Sequence, residues 1–489
     1  MPDLVPVSLV QHQVAVPDIM AAARGLIGAF GQRDVFVLES MAGPATDSRE
    51  SLLGLTGLLD VAVRRSRVTV TGVPALVERI EAALLRAGAV VRDADGLVLT
   101  APASCWDVPR LVERAFDVVG TAEEFRAGLF AFYGYDAVHY VEDLPRRIPD
   151  PPSPSPDVHF SLVRAVVKVP SGGERAAVFV LDSPLWPTLD MDEVVAALSA
   201  PADGRRTQPV PAPRAVVDDV EPEVFGRRVE TALAHIAAGD IYQIQLGHQI
   251  RVETDVDPLV VYERLRERNP SPYMTMATVG ASTVVAASPE LFVRVEGREV
   301  TMRPIAGTVA RAGTAEGDAR AAERLLADPK ERAEHIMLVD LCRNDFGRVC
   351  VAGTLDVTDL MITERYSHVL HLVSNVVARL RDGVDAYDVV QACFPAGTMT
   401  GAPKIRAMEI IEDLESSRRG LYAGAHGLIG FGGWSVLALS IRMVVHDGEA
   451  YALRASAGVV ADSTPQGEWH ETLAKMGAAF WAVTGTELS

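Results

Sequence analysis

The alternation of apolar and polar positions changes character along the chain. Up to residue 150, short apolar runs such as Val35-Phe36-Val37-Leu38 and the alternating Val68-Thr69-Val70-Thr71 predict strands. They are interleaved with alanine-rich stretches of helical period, the clearest at residues 75–87. Residues 146–156 read RRIPDPPSPSP. Proline fixes φ and lacks a backbone donor, so this run predicts an extended connector and excludes a helix. A second proline-rich run follows at 209–213, and between the two, residues 162–169 and 177–181 predict strands. Beyond residue 215, amphipathic helices predicted at 221–238, 319–327 and 330–340 alternate with β-rich text such as 283–300. Pro329 separates the last two helices, as a first-turn proline can. The chain thus divides into an N-terminal region (residues 1–150), a proline-rich connector with strands (151–214) and a larger body (215–489). No repeat of fixed period and no regular βαβ series occurs, so the expected class is α+β.

Composition narrows the function. With 489 residues, 48% hydrophobic and 23% charged, the chain can bury a substantial core without staples. A formal net charge of −19 argues against a nucleic-acid partner, which needs basic surface to neutralise phosphates. Cys105, Cys342, Cys350 and Cys393 are scattered with no CxxC pair. Neither a disulfide framework nor a zinc site is expected, and a reducing cytoplasm fits. The first twenty residues hold Asp3 and Asp18 but no Lys or Arg, unlike a secretory signal. No apolar run is long enough to span a membrane. Neither G-x-G-x-x-G after a strand nor G-x-x-x-x-G-K-[ST] occurs, which removes the usual dinucleotide and P-loop signals.

Candidate chemistry lies in the second half. In the helix predicted around 330–340, Glu331 and Glu334 stand at i and i+3 and share a face. Glu468, Glu471 and Lys475 repeat this at i, i+3 and i+7. One such pair alone reads as a solvated helix face. Two pairs facing each other would make a hard-oxygen site suited to Mg²⁺. Residues 394–404, FPAGTMTGAPK, crowd Gly and Pro into a tight loop before a helix predicted at 405–414. That is either a plain turn or a helix N-terminus that, with Lys404, suits an anion. Arg303-Pro304-Ile305-Ala306-Gly307-Thr308 is a strand end entering a turn. Tyr422 and Arg442, on separate strand-like segments, are either structural or a grip for a carboxylate.

Together these blocks resemble the chorismate-utilising enzymes. Within them the chain is most similar to the large subunit of anthranilate synthase (component I) and the related 2-amino-2-deoxyisochorismate synthases. The matching text is RPIAGT at 303–308, ERAEHIMLVDLCRNDFGRV at 331–349, FPAGTMTGAPKIRAMEIIEDLE at 394–415 and AGVVADS at 457–463. Upstream, AFYGYDAVHYVEDLP at 131–145 and NPSPYM at 269–274 also match, so the resemblance covers nearly the whole chain. It implies a large antiparallel β core of two packed sheets flanked by helices. It also implies Mg²⁺ held by Glu334 and Glu471 against the ring carboxylate of chorismate, with Glu331 and Glu468 nearby and Lys475 facing the same end. Tyr422, Arg442 and the segment Ser456-Ala457-Gly458 would hold the enolpyruvyl carboxylate, and Thr398 the ring substituents. Glu290 matches the family's general acid for the C4 hydroxyl, which must stay protonated to act. His371 matches the histidine associated with pyruvate elimination.

Two positions separate the family's branches. Gln243 stands where water-adding members place a Lys, and a neutral amide cannot activate water. Ala306 stands where para-aminating members place a Lys nucleophile, and alanine offers none. The resemblance therefore implies amination at C2, giving 2-amino-2-deoxyisochorismate and then, by loss of pyruvate, anthranilate. The alternative is release of the intermediate for specialised metabolism, and a distant third is a non-catalytic partner of an amidotransferase. Ser456 replaces the family's usual glycine, and Gly247-His248 and His426 also depart from its pattern. These changes are expected around the product half of the pocket. Leu38-Glu39-Ser40 and Pro272-Tyr273-Met274 resemble the family's tryptophan-binding regulatory pocket, while residues 41–47 differ from it. No Cys–His glutaminase motif is visible. Ammonia would come from solution or from a separate glutamine amidotransferase subunit, the assembly being a homodimer or a heterotetramer.

Overall fold

Every residue of the strand Gly128–Tyr133 is buried, which demands cover on both faces. The computed structural model, which describes residues 4–43, 50–119, 128–151, 155–170, 175–200, 209–366 and 369–488, shows what supplies it. Two sheets of thirteen strands each pack against one another, with helices outside both, in an α+β architecture. Among the described residues pairing is antiparallel, except that Val5–Ala15 runs parallel to Phe116–Val119.

Aromatic rings fill the space between the sheets. Phe36 of strand Val35–Glu39 stacks on Phe130 of the opposite sheet with ring centroids 5.1 Å apart. The Phe36 ring lies over Gly54, where a Cβ would fall 1.9 Å from it, so only glycine fits. Outside, helices Ile19–Phe30, Pro258–Arg268 and Pro465–Thr484 bury apolar faces on the first sheet. Helices Pro74–Arg86, Asp107–Arg114, Pro329–Gly347 and Ala386–Cys393 cover the second. Each fully buried Val, Leu or Phe contributes roughly 1.5–3 kcal/mol.

The predicted elements form with two informative differences. Helix Pro329–Gly347 begins where expected, with Asp328 capping the amides of Lys330 (2.9 Å) and Glu331 (3.3 Å), but it runs on past 340. Residues 162–169 are not one strand. Val158–Leu162 ends in the second sheet and Ala165–Pro170 begins in the first. Between them the amide of Val163 donates to Gly128 O and that of Arg164 to Leu55 O. A valine-rich run keeps its apolar pattern through such a corner, so the pattern does not reveal it.

The three stretches distinguished in the sequence interleave. Gly128–Tyr133 pairs with Val158–Leu162 on one side and Ala425–Gly430 on the other, one strand from each stretch. Residues 152–154 of the proline-rich run and 44–47 of the divergent stretch lie outside the described residues. Among the described residues no helix is long and apolar enough to cross a membrane. All four cysteines are buried free thiols.

Candidate active site

Glu331 and Glu334 project from helix Pro329–Gly347, and Glu468, Glu471 and Lys475 from helix Pro465–Thr484. The two acidic faces are turned toward each other, and their fields show it. Burial raises the pKa of Glu334, and the charges of Glu331 and Glu471 raise it further. Burial also raises Glu331, with Asp328 and Glu471 adding to it, and raises Glu468, with Glu471 adding to it. Glu468 Oε2 is buried with no hydrogen-bond partner. Lys475 Nζ lies 2.6 Å from Glu471 Oε1 and donates to Ser456 O at 2.8 Å. Four carboxylates against one contacting ammonium leave the site strongly anionic. An all-oxygen donor set with an orphaned carboxylate oxygen suits a small hard cation such as Mg²⁺.

The RPIAGT segment abuts this acidic end. A Cβ at Gly307, whose φ is +69°, would fall 3.0 Å from Glu331 Oε2. Thr308 lies opposite His371 in register, and Ala306 opposite Leu372. His371 Nδ1 is 3.2 Å from Gly307 O and 3.0 Å from Thr308 Oγ1. Donation to that carbonyl places the ring proton on Nδ1 and leaves the lone pair on Nε2. Burial, with Arg442 assisting, lowers the His371 pKa to about 4, so the ring is neutral.

Glu290 follows the strand Ser282–Ser288 and lines one cavity with Arg303, Pro304, Ala396, Gly397 and Thr398. No ion pair reaches its carboxyl among the described residues. Burial pushes its pKa up to about 8, against the pull of the Thr398 hydroxyl and the Lys475 charge. Gln243 is buried with its Oε1 unpartnered. Its amide faces Gly458, where a Cβ would fall 3.1 Å from Gln243 Nε2 and 3.0 Å from Gln245 Nε2.

Tyr422 and Arg442 do not stand on strands. Tyr422 lies in the turn that precedes strand Ala425–Gly430, and Arg442 directly precedes strand Met443–His446 with a left-handed φ of 52°. The Tyr422 hydroxyl donates to Ser456 Oγ at 3.0 Å. Arg442 Nη1 donates to Lys475 O at 3.3 Å, and no carboxylate of the described residues neutralises the guanidinium. Burial lowers its pKa against the raising influence of Tyr422 and Glu471, and a bound anion would offset that desolvation. Ser456, Ala457 and Gly458 lie on strand Ala450–Val459, opposite Gly247, Leu246 and Gln245.

Three expectations change. Lys404 does not face an anion site, because its ammonium is held by Asp345 at 2.8 and 3.0 Å and by Cys393 O. His426 is not in the pocket. It lies between the sheets, its nitrogens 3.0 Å from Ser440 Oγ and Thr275 Oγ1, stacked on Phe132. His248 is likewise internal, joining Asp218 to Thr472 and stacked on Trp469. Asp218, Asp219 and His248 bring their ligand atoms within 4.8 Å of one another. Their donors are engaged internally, Asp219 by the Gln249 amide and by Ser417.

The strand pairing Met274↔Glu39 brings the Glu39–Ser40 and Pro272–Met274 segments together, with Tyr273 on the same strand. Ser40 Oγ donates to Pro272 O at 2.8 Å. Glu39 already accepts from Arg266 Nε (2.8 Å) and Nη2 (3.1 Å) and from the Tyr262 hydroxyl (2.7 Å). A ligand amine there would compete with Arg266.

Reading the sequence missed Gln245, Glu415 and Arg419. Arg419 donates to Met399 O, next to Thr398, to Gln245 O and to Glu415, while Glu415 accepts the Gly247 amide. The spacing of Gln243 and Gln245 at i and i+2 was the available signal, since both face the same side of a strand.

A two-sheet body that brings together an acidic helix pair, a buried carboxylic acid and a buried arginine with no ion pair among the described residues suits a small-molecule enzyme acting on an anionic substrate. Residues 85–480 match the chorismate binding enzyme family, and the chain belongs to it. The chain is 51% identical over 475 residues to the 2-amino-4-deoxychorismate synthase of Streptomyces globisporus, covering 96% of this chain and 95% of that one. It is 42% identical over 381 residues to anthranilate synthase component 1 of Streptomyces coelicolor, 74% of each chain. Among solved structures, anthranilate synthase component I from Streptococcus pneumoniae superposes with a TM-score of 0.72 at 30% identity, covering 88% of this chain and 92% of that one. The menaquinone-specific isochorismate synthase of Escherichia coli shares the fold, with a TM-score of 0.69 at 17% identity over 99% of this chain and 96% of that one.

Proposed function

We propose that this chain aminates chorismate at C2 with departure of the C4 hydroxyl, and that 2-amino-2-deoxyisochorismate is the product it hands on. Glu290 carries the amination reading. With a pKa near 8 it is protonated at neutral pH and can act as the acid. Nitrogen bonds to C2, the two ring double bonds each shift one position, and the C4–O bond breaks. Glu290 supplies the proton with which that oxygen leaves as water. The unpaired Arg442 and the Tyr422–Ser456 hydroxyls are placed to bind one carboxylate. Glu334 and Glu471, with Glu331 and Glu468 around them, would hold Mg²⁺, which would fix the ring carboxylate. Gln243 and Ala306 supply neither a base for water nor a nucleophile, which favours ammonia as the attacking group.

The name of the Streptomyces globisporus relative supports the product. A 2-amino-4-deoxychorismate bears nitrogen at C2 and has lost the C4 hydroxyl, which is the same compound as 2-amino-2-deoxyisochorismate. A second reading, continuation to anthranilate, is favoured by the neutral His371, whose Nε2 has no hydrogen-bond partner among the described residues. Relatives named component 1 imply a second component. By that analogy a separate glutamine amidotransferase supplies ammonia here, in a reducing cytoplasm that suits four free thiols.

The test is incubation of the purified chain with chorismate, Mg²⁺ and ammonium, followed by mass analysis. The amino-enolpyruvyl acid is expected, with little pyruvate. Unconsumed chorismate overturns the amination reading. Anthranilate and pyruvate in equal amounts establish the second reading instead.

A further inference from the structure

We infer that Ser456 is the positioning residue that decides the fate of the aminated product: its hydroxyl, seated between Tyr422 and the space left by Gly247, holds the enolpyruvyl carboxylate in a pose from which pyruvate does not leave. This rests on the amination reading above.

The hydroxyl has a built seat. Gly247 and Ser456 face each other in register across strands Gln243–Glu253 and Ala450–Val459. A Cβ at Gly247 would fall 2.7 Å from Ser456 Oγ and 2.4 Å from Ala455 O. The missing side chain at 247 is therefore what gives the serine room. Ser456 is buried, as is Tyr422, and their oxygens are 3.0 Å apart. Each hydroxyl owns one proton. Once the phenol gives its proton to Ser456 Oγ, the proton left for an anion is the serine's. The carboxylate anchor is thereby displaced from the phenol to the serine.

The anchor is also rigid. Ser456 O accepts the Lys475 ammonium, and that ammonium contacts Glu471. Arg442 donates to Lys475 O, on the same helix as Glu468 and Glu471. Lys475 thus ties the acidic helix face to the strand that carries Ser456, which fixes the serine relative to the acidic residues.

Loss of pyruvate is demanding about that geometry. A base removes the C2 proton, the C–H pair becomes the C2–C3 π bond that completes the aromatic ring, and the C3–O pair departs with the enolpyruvate. The enolpyruvate then takes a proton at its methylene carbon and becomes pyruvate. The C3–O bond must stand perpendicular to the ring as the proton leaves, and the carboxylate anchor sets that torsion. A misplacement of about 1 Å costs on the order of a hundredfold in rate. His371, with its Nδ1 3.2 Å from Gly307 O, offers Nε2 as the candidate base, so the orientation of the C3–O bond is what Ser456 would set.

The experiment compares wild type, Ser456→Ala and Ser456→Gly with chorismate, Mg²⁺ and ammonium. Pyruvate is read by coupled oxidation of NADH and expressed per chorismate consumed. Both variants are expected to raise that ratio at least tenfold, with anthranilate fluorescence rising in step. A variant that is merely damaged consumes chorismate more slowly and leaves the ratio where it was. Should amination by the variants be too slow to follow, purified 2-amino-2-deoxyisochorismate is supplied directly and pyruvate release is measured. Unchanged ratios in both variants, or stoichiometric pyruvate from the wild type, overturn the inference. Chorismate left untouched by the wild type overturns the underlying reading instead.

Discussion

Glu290 and Glu415 are both buried carboxyls, and one is held neutral while the other is held ionised. Glu415 is gripped by Arg419 Nε (3.0 Å), Arg419 Nη2 (2.8 Å), Arg454 Nη2 (2.6 Å) and the Gly247 amide (2.9 Å). Its pKa is lowered, because those two arginines and hydrogen bonds outweigh the burial that would raise it. Glu290 shares its cavity with Arg303, whose guanidinium is engaged by Glu364. No ion pair reaches Glu290 among the described residues, so burial prevails and pushes its pKa up to about 8. Burial alone does not decide a carboxyl's charge; the local supply of cations does. The framework spends its arginines where strands and the Thr398 loop must be held still. It withholds them where a proton must be kept.

Removing the acid is expected to have the largest effect. Glu290→Gln should lower kcat for chorismate consumption by about 10²–10⁴-fold with the circular dichroism spectrum unchanged. Near-normal turnover would end the assignment of the acid. Next is the opposite pole. Arg419→Ala strips a buried ion pair and should cost roughly 3–5 kcal/mol in urea unfolding, against little for a surface arginine such as Arg320. A loss below about 1 kcal/mol would mean that Arg454 alone suffices to hold Glu415.

Glu334→Gln and Glu471→Gln sharpen the contrast with the acidic helices, where the charge is left for a cation to neutralise. Each should raise the Mg²⁺ concentration for half-activity by at least the ~10–100-fold that losing an outer partner of a metal site costs. An unaltered Mg²⁺ titration would place the ion elsewhere.

The pH dependence separates the two carboxyls by sign. Glu290 stays protonated in the folded chain until about pH 8, whereas unfolded it ionises near its ordinary 4.5. The folded state then holds the extra proton, so stability falls as pH rises between those values. Relative to Glu290→Gln, the wild-type urea midpoint should decline across that window, and kcat at constant free ammonia should fall as pH rises through about 8. Glu415 acts the other way. Its contribution is present above its ordinary 4.5 and is lost as the solution is acidified below that. Thr398→Val should give the smallest change, moving the alkaline limb of kcat upward by removing the hydroxyl that lowers Glu290.

The acidic geometry and the family are legible in the sequence. The i, i+3 glutamates marked the acidic helices because helical periodicity alone puts them on one face. The long motif blocks named the family, and Gln243 and Ala306 narrowed the branch, because each is a single side chain whose chemistry can be read by itself. Ser456 was also visible as a departure, though not its partner. Residues 247 and 456 are far apart in the chain and meet only through the register of two strands.

What the amino-acid sequence determined by itself was local: which segments are helix or strand, where Asp328 and Pro329 start a helix, and which side chains have the chemistry to act. Tertiary structure alone decided the rest. It sent Lys404 to Asp345 rather than to an anion, buried His426 between the sheets, broke residues 162–169 across two sheets and set Glu39 against Arg266. It also left one buried glutamate a neutral acid and another an anion. The physical reason is that a side chain's charge and contacts depend on groups brought within a few ångströms by packing, and neither periodicity nor composition specifies which groups those are.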